Sequence, residues 1–130
     1  MPIGAMPPGG SREPVVLVVE DEFLVAMELD LLLTQAGWRV LGPAATVEAA
    51  LELLNKEQPD VAVLDVNLRG RLIIPVATAL RTMGVPFVVT SAYRRADLPG
   101  ADILAEAPFV AKPIVERPLL AALAQLKRGS

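Results

Sequence analysis

Short apolar runs alternate with longer amphipathic segments along most of the chain. The run Val15–Val19 has no polar face, and it stops at three acidic residues, Glu20, Asp21 and Glu22. Runs of this kind are typical of strands that are buried on both faces of a parallel sheet. Four further strands are predicted on the same grounds, at Arg39–Leu41, Val61–Asp65, Val85–Ser91 and Phe109–Lys112.

The segments between these runs carry apolar residues at helical spacing. The segment Phe23–Ala36 is predicted to be the first helix, and Gly37 is a typical residue just beyond a helix C-terminus. Its inward stripe consists of Val25, Leu29, Leu32, Leu33 and Ala36. Thr46 is a suitable N-cap for a second helix. A third helix is predicted over Pro75–Met83 and a last one over Pro118–Lys127.

Two connections have a weaker pattern. Residues 93–108 are interrupted by Pro99 and Gly100, which predicts an irregular or shortened fourth helix. Residues 66–71, after the third strand, are predicted to be a loop. Because strands and helices alternate, we expect an α/β fold with a five-stranded, doubly wound parallel sheet. Residues 1–13 hold three prolines and three glycines, so we expect a flexible leader before one domain over residues 14–128.

Composition narrows the possible chemistry. The chain has no cysteine and no histidine, which excludes thiol nucleophiles, thiolate metal sites and an imidazole base. The formal net charge of −3 does not favour binding to nucleic acid. No apolar stretch reaches the ~20 residues of a membrane span, so a cytoplasmic protein without direct membrane contact is expected.

Polar residues that carry chemistry stand at the ends of the predicted strands. Glu20 and Asp21 follow the first strand, Asp65 ends the third, Ser91 ends the fourth and Lys112 ends the fifth. In a parallel sheet these ends meet at one edge, where ligands bind. Crowded carboxylates repel one another unless a cation lies among them, and oxygen ligands favour Mg²⁺. The sequence therefore predicts a magnesium site.

The same residues are suited to phosphoryl transfer. A carboxylate can attack phosphorus and form an acyl phosphate when the charge on the transferred group is neutralised. Lys112 and Mg²⁺ supply positive charge, and Ser91 supplies a hydroxyl donor. No residue type present is a ready base for fast hydrolysis, so a phosphoryl store is expected rather than a fast hydrolase.

Three strings carry a resemblance to a known family. Residues 15–22, VVLVVEDE, are similar to the opening of a response-regulator receiver domain. Residues 61–68, VAVLDVNL, are similar to the phosphoacceptor strand of such a domain. Residues 109–113, FVAKP, are similar to its Lys-Pro signature. Their order and spacing cover most of the chain. The resemblance implies a stand-alone receiver of the CheY-like type with a flavodoxin-like fold.

The resemblance also implies residue roles at the metal site. It makes Asp65 the phosphoacceptor and, with Asp21, a direct ligand of Mg²⁺. Glu20 would act directly or through water, although receivers more often have Asp at this position. The backbone carbonyl of Asn67 would complete the site, and Lys112, preceding a cis proline, would contact the phosphoryl group.

A switch is implied at the fourth strand. Thr90 and Ser91 are both hydroxyl residues, and only one of them faces the site under the two-residue period of a strand. Ser91 is preferred because Ser91-Ala92-Tyr93 resembles the ending of a receiver sub-group known for Phe-Ala-Thr-Gly-Tyr. Phe109 is either the aromatic residue that reorients with Ser91 or a simple packing residue.

The first helix has a second apolar stripe, formed by Leu24, Met27 and Leu31. Either neighbouring loops or the leader cover it, or it is a docking patch for a histidine kinase or a histidine phosphotransfer protein. The downstream signal would pass to a protein partner that the sequence does not identify, or through a homodimer.

Two rival functions are open at this point. A degenerate receiver would act only as a protein-interaction module. A Mg²⁺-dependent phosphatase of the haloacid-dehalogenase type also uses a strand-end Asp and a Lys, but it has Asp-x-Asp at the nucleophile, where this chain has Asn67 as the second residue.

Overall fold

A five-stranded parallel sheet forms the centre of the computed structural model, which describes residues 13–68, 71–91, 104 and 107–129. Along the chain the elements are β1 (Val15–Val19), α1 (Phe23–Gln35), β2 (Arg39–Ala44), α2 (Val47–Lys56), β3 (Val61–Asp65), β4 (Asn67–Leu68), β5 (Arg71–Leu72), α3 (Ile74–Met83), β6 (Phe87–Ser91), β7 (Phe109–Ala111) and α4 (Glu116–Gly129). The sheet has the order β2-β1-β3-β6-β7, and all of its pairings are parallel.

Each face of the sheet carries its own hydrophobic core. Leu17, Leu64 and Val89 point to the side covered by α2 and α3, whereas Val18 and Val63 point to the side covered by α1 and α4. This division follows the alternation of side chains along a strand. The doubly wound fold predicted from the sequence is confirmed.

The helix ends follow their sequence signals. The hydroxyl of Thr46 accepts a hydrogen bond from the backbone N–H of Ala49 at 3.0 Å, which caps α2 as expected. Gly84 ends α3 in the left-handed conformation, with φ of +74°. Of the predicted inward stripe of α1, Leu29 and Leu33 are buried, but Ala36 is exposed because it is the C-cap, and Ala26 is buried instead.

The structure differs from the sequence prediction in two connections. β2 continues to Ala44, because the N–H of Glu20 donates to the Ala44 carbonyl at 2.9 Å and extends the pairing with β1. Gly42 permits this path, since its φ is +100° and a Cβ there would lie 2.7 Å from the nitrogen of Ala44. The predicted loop after β3 contains the antiparallel pair β4–β5.

The segment between β6 and β7 lies almost wholly outside the described residues. Leu104 alone is described in its middle, as a buried helical residue. The prediction of an irregular fourth helix and that of a flexible leader therefore fall outside the described part of the chain. None of the described helices is long and apolar enough to cross a membrane.

Candidate functional site

The order of the strands places two acidic residues at the carboxyl edge of the sheet. After β1 the chain builds β2 on one side, and from β3 onward it builds the other side, so the order reverses between β1 and β3. Val19 pairs with Leu64, which puts Glu20 beside Asp65. This reversal point is where open α/β sheets bind ligands.

Three carboxylates meet at this point. One oxygen from each of Glu20, Asp21 and Asp65 lies within 4.8 Å of the others. Glu20 and Asp65 are buried and Asp21 is half-buried. The Oε2 atom of Glu20 accepts a hydrogen bond from the backbone N–H of Glu22 at 3.1 Å, which fixes the direction of this side chain.

Lys112 brings one positive charge into the cluster. It follows β7, and its backbone N–H donates to the carbonyl of Ser91 at 3.0 Å. Its Nζ lies 3.3 Å from Oδ2 of Asp65, 3.1 Å from Oε1 of Glu20 and 3.9 Å from Oε1 of Glu22. The peptide bond between Lys112 and Pro113 is cis, as the resemblance to receiver domains implied.

Burial and crowding change the protonation of Asp65. The pKa of Asp65 is raised to about 7, because burial and, after it, the neighbouring Glu20 carboxylate raise it by more than Lys112 lowers it. Burial by itself would lower the pKa of Lys112, but the Asp65 and Glu20 carboxylates outweigh that effect and raise it. One ammonium group therefore offsets the charge of the acids only in part.

The donor set fits a hard divalent cation. Within the described part of the chain, the Oε1 atom of Glu20 is buried and makes no hydrogen bond, because Nζ of Lys112 is at ion-pair distance but donates to Oε2 instead. A buried carboxylate oxygen without a hydrogen bond is costly unless a cation contacts it. Carboxylate oxygens are the ligands that Mg²⁺ prefers.

Residues 16–124 match the response regulator receiver domain family. The chain belongs to that family. Receiver domains are signalling domains of two-component systems, which generally use Mg²⁺ at an acidic pocket and interact with histidine kinases or phosphotransfer proteins.

Solved receiver domains share the fold. SdrG from Sphingomonas melonis is 34% identical, with a TM-score of 0.77, over 89% of this chain and 98% of that one. The receiver domain of PhyR from Erythrobacter litoralis is 31% identical, with a TM-score of 0.75, over 88% of this chain and 89% of that one.

Curated relatives are longer proteins. The transcriptional regulatory protein AfsQ1 of Streptomyces coelicolor is 36% identical over 89% of this chain and 52% of its own length. PdtaR of Mycobacterium tuberculosis is 33% identical over 64% of this chain and 41% of its own length. This receiver domain thus spans about half the length of the curated relatives it matches.

Asn67 has a backbone carbonyl that is directed away from the β4–β5 pair. The N–H of Ile73 donates to the carbonyl of Val66 at 3.0 Å, so Asn67 and Leu72 form the next, non-hydrogen-bonded pair of the ladder. In such a pair the N–H and C=O groups point away from the partner strand. The short hairpin therefore leaves the Asn67 carbonyl for another partner.

Thr90 and Ser91, the two hydroxyl residues of β6, differ in how they contact the residues of the site. Thr90 pairs in register with Asp65, and its Oγ1 donates to the carbonyl of Leu64 at 3.4 Å. Ser91 is also buried, and its carbonyl holds Lys112. Phe109 is half-buried and pairs with Val89, two residues before Ser91.

The second stripe of α1 is exposed. Leu24, Met27 and Leu31 have 73%, 53% and 60% of their surface exposed, and Phe23 before them has 72%. Glu28, Asp30 and Thr34 border the same groove. Among the described residues nothing covers this stripe, which begins next to the acidic cluster.

The structure brings together most of the residues predicted for the site. Glu20, Asp21, Asp65 and Lys112 lie within a few ångströms of one another, while Leu24, Met27 and Leu31 form a separate surface. No role was predicted for Glu22, and Thr90 was considered only as the alternative to Ser91 for the switch hydroxyl. The acidic run Glu20-Asp21-Glu22 could have indicated that Glu22 lies near the site. The position of Thr90 beside Asp65 depends on strand register, which a single sequence does not show.

Proposed function

We propose that this receiver domain accepts a phosphoryl group on Asp65 and signals through the conformational change that follows. The observation that carries the proposal is the position of Asp65, the last residue of β3, beside two carboxylates and 3.3 Å from the ammonium of Lys112. A nucleophile, a cation-binding pocket and a fixed positive charge are the parts that phosphoryl transfer needs.

The transfer step requires an ionised Asp65. A carboxylate oxygen attacks phosphorus, a new O–P bond forms, and the bond from phosphorus to the leaving group breaks with its electron pair. The leaving group is acetate when acetyl phosphate is the donor, or the imidazole of a partner histidine. Lys112 favours the ionised nucleophile and lies where it can contact an oxygen of the transferred group.

Magnesium would be held by four groups: the carboxylates of Glu20, Asp21 and Asp65 and the backbone carbonyl of Asn67. When bound, the ion would supply positive charge that offsets part of the charge on the transferred phosphoryl oxygens. The buried Oε1 atom of Glu20 makes no hydrogen bond with any described residue and has an ion pair with Lys112 at 3.1 Å, so it could serve as a ligand of the ion. Glu20 is one methylene longer than the Asp found more often at this position, so it can act directly or through a water molecule.

A long-lived phosphoryl group is more consistent with this chain than rapid turnover. The sequence has no histidine, so no imidazole can activate a water for hydrolysis of the acyl phosphate. Asn67 stands where a haloacid-dehalogenase-type phosphatase has its second acid. We therefore propose a signalling domain rather than an enzyme, and the intact acidic cluster disfavours a degenerate interaction module.

Ser91 is proposed as the switch hydroxyl. A phosphoryl group on Asp65 adds negative charge and strong acceptor oxygens, which attract nearby donors. Ser91 ends β6 one residue after Thr90, which pairs with Asp65, so the side chain of Ser91 leaves the strand on the opposite face from that of Asp65. Its movement toward the phosphoryl group would allow Phe109 to reorient, and would change the surface formed by β6, β7 and α4.

The exposed stripe Leu24, Met27 and Leu31 is proposed as the docking patch for a histidine kinase or a histidine phosphotransfer protein. Large contiguous apolar surfaces on a small protein mark interaction sites. This one begins next to the acidic cluster, so a helix bound there would bring its histidine near Asp65. The signalling unit would be a domain of residues 14–128 that follows a leader of residues 1–13. In the cytoplasm, it would pass its signal to a downstream protein or act through a homodimer.

The test is intact-mass analysis after incubation with acetyl phosphate, with and without Mg²⁺. Wild-type protein is expected to gain one phosphoryl group only when Mg²⁺ is present. Asp65→Asn should gain none, and Glu52→Gln, which changes an exposed acid on α2, should behave as the wild type. A gain in Asp65→Asn equal to that of the wild type would contradict the proposal.

A further inference from the structure

Thr90 is the residue of β6 that stands directly next to Asp65. The two residues pair in register, and side chains in register on neighbouring parallel strands point to the same face. Val63 and Val88 precede them on that face and both belong to the core under α1 and α4. Thr90 is completely buried, so its hydroxyl must find its partner within the protein.

Thr90 is bonded to the peptide groups on both sides of Asp65. Its Oγ1 donates to the carbonyl of Leu64, the residue before Asp65, at 3.4 Å. Its own carbonyl accepts a hydrogen bond from the N–H of Val66, the residue after Asp65, at 3.1 Å. The backbone of the nucleophile is therefore held from both directions by one residue of the neighbouring strand.

Thr90 also connects Asp65 to the residue proposed to respond to phosphorylation. Ser91 follows it immediately, and the carbonyl of Ser91 accepts the hydrogen bond from the N–H of Lys112. A displacement of Ser91 is thus transmitted through Thr90 to both peptide groups that flank Asp65. At 3.4 Å the hydrogen bond from Oγ1 is longer than the usual range for an O–H···O bond, so a small shift of β6 toward β3 would shorten and strengthen it.

We infer that Thr90 is a positioning residue for the phosphoryl transfer, whose hydroxyl fixes the backbone of Asp65 and couples it to the switch strand. This inference rests on the proposed role of Asp65 and adds a residue to it. Thr90 does not contact the phosphoryl group in this account, and its role is distinct from that of Ser91. Correct placement of a reacting group to within a fraction of an ångström is what such a residue supplies.

The test compares Thr90→Val, which keeps the branched shape but removes the hydroxyl, with Thr90→Ser, which keeps the hydroxyl. The rate of Mg²⁺-dependent phosphorylation by acetyl phosphate should fall roughly threefold to tenfold in Thr90→Val and return to near the wild-type rate in Thr90→Ser. Thr82→Val makes the same chemical change at an exposed position of α3 and should leave the rate unchanged.

A spectroscopic measurement separates positioning from general damage. The ¹³C resonances of the Leu64 carbonyl and the Asp65 carboxyl should shift in Thr90→Val and recover in Thr90→Ser, while the thermal midpoint stays close to that of the wild type. A Thr90→Val rate equal to the wild-type rate would overturn the inference. So would a Thr90→Ser variant as slow as Thr90→Val, because the methyl group would then be what matters.

Failure of the proposed function has a different signature. If the wild type takes no phosphoryl group under any condition, Asp65 is not the acceptor, and the resonances alone decide the role of Thr90. An Asp65 carboxyl resonance that is the same in the wild type and Thr90→Val would then overturn the positioning role.

Discussion

Asp65 has an electrostatic environment that opposes its own ionisation. Its carboxyl group is buried beside Glu20, and among the described residues Lys112 is the only group that lowers its pKa, so the pKa rises to about 7. A carboxyl group of this kind is poorly suited to a structural role, because the folded protein holds it at a cost. The same environment suits a nucleophile that becomes fully ionised when a cation enters.

This environment predicts a pH-dependent stability. The pKa of Asp65 in the folded protein is above its ordinary value of 3.8, so the folded state binds more protons than the unfolded state between about pH 4 and pH 7. The free energy of unfolding of the metal-free wild type therefore falls as pH rises through this range. Asp65→Asn removes the effect and should be more stable than the wild type by about 1 to 3 kcal/mol at pH 8.

Denaturant unfolding in the presence of a chelator checks this prediction. The advantage of Asp65→Asn should shrink as the pH is lowered from 8 to 5, while Glu52→Gln on the surface of α2 should show no such trend. An advantage that is constant with pH, or a wild type that is the more stable protein at pH 8, would show that Asp65 is not held in this way.

The sequence predicted individual residues best where a strand ends. Asp65 and Lys112 were assigned because an apolar run stops at each of them, and the carboxyl ends of parallel strands share one edge. Thr90 and Ser91 were harder to separate, because both are buried hydroxyl residues at the end of one strand. Their difference depends on which residue pairs with Asp65, and that is a property of two strands rather than one.

The helix α1 has two apolar faces that differ in exposure. Leu29 and Leu33 on one face are buried in the core, whereas Leu24, Met27 and Leu31 on the other are exposed. This pattern explains why the helix is apolar around much of its circumference although it lies at the surface. The exposed face is the part of the element that is available for a partner.

Substitution on this face should affect partners selectively. Leu24→Asp or Leu31→Asp places a charge in the docking patch, and transfer from the phosphorylated histidine of the cognate kinase should slow by roughly tenfold or more. Phosphorylation by acetyl phosphate, measured on the same preparations, should be unchanged, because the exposed side chains do not hold the site.

The matched control is Asn55→Asp, which adds the same charge at an exposed position of α2. Transfer from the kinase to this variant should proceed at the wild-type rate. Equal slowing with the kinase and with acetyl phosphate in the Leu24 or Leu31 variant would indicate damage to the site and would eliminate the docking role.

The elements that the sequence did not predict are the short ones. Strands β4 and β5 have two residues each, which is too short for any periodicity to appear, so the connection after β3 was predicted as a loop. The hairpin matters for the site, because its register turns the Asn67 carbonyl away from β5. The longer helices and strands each have a buried face and a recognisable end. Their predicted bounds therefore lie close to those in the structure.

At the scale of the whole molecule, the function depends on the order of the strands. The reversal between β1 and β3 brings together acidic residues that are 45 positions apart in the chain, and β7 adds Lys112 from a third region. Alternating apolar runs and helices were enough to predict this architecture. The distances between charges, the burial of Glu20 and the exposure of the α1 face required the three-dimensional structure.

The position of the phosphoryl group on the chain decides whether Asp65 is the acceptor. After incubation with acetyl phosphate and Mg²⁺, reduction with borohydride converts an aspartyl phosphate to homoserine, and tandem mass spectrometry of the peptides identifies the position. Homoserine is expected at position 65 and at no other acid, and none is expected when Mg²⁺ is replaced by a chelator. Homoserine at position 21 or 60, with residue 65 intact, would contradict this expectation.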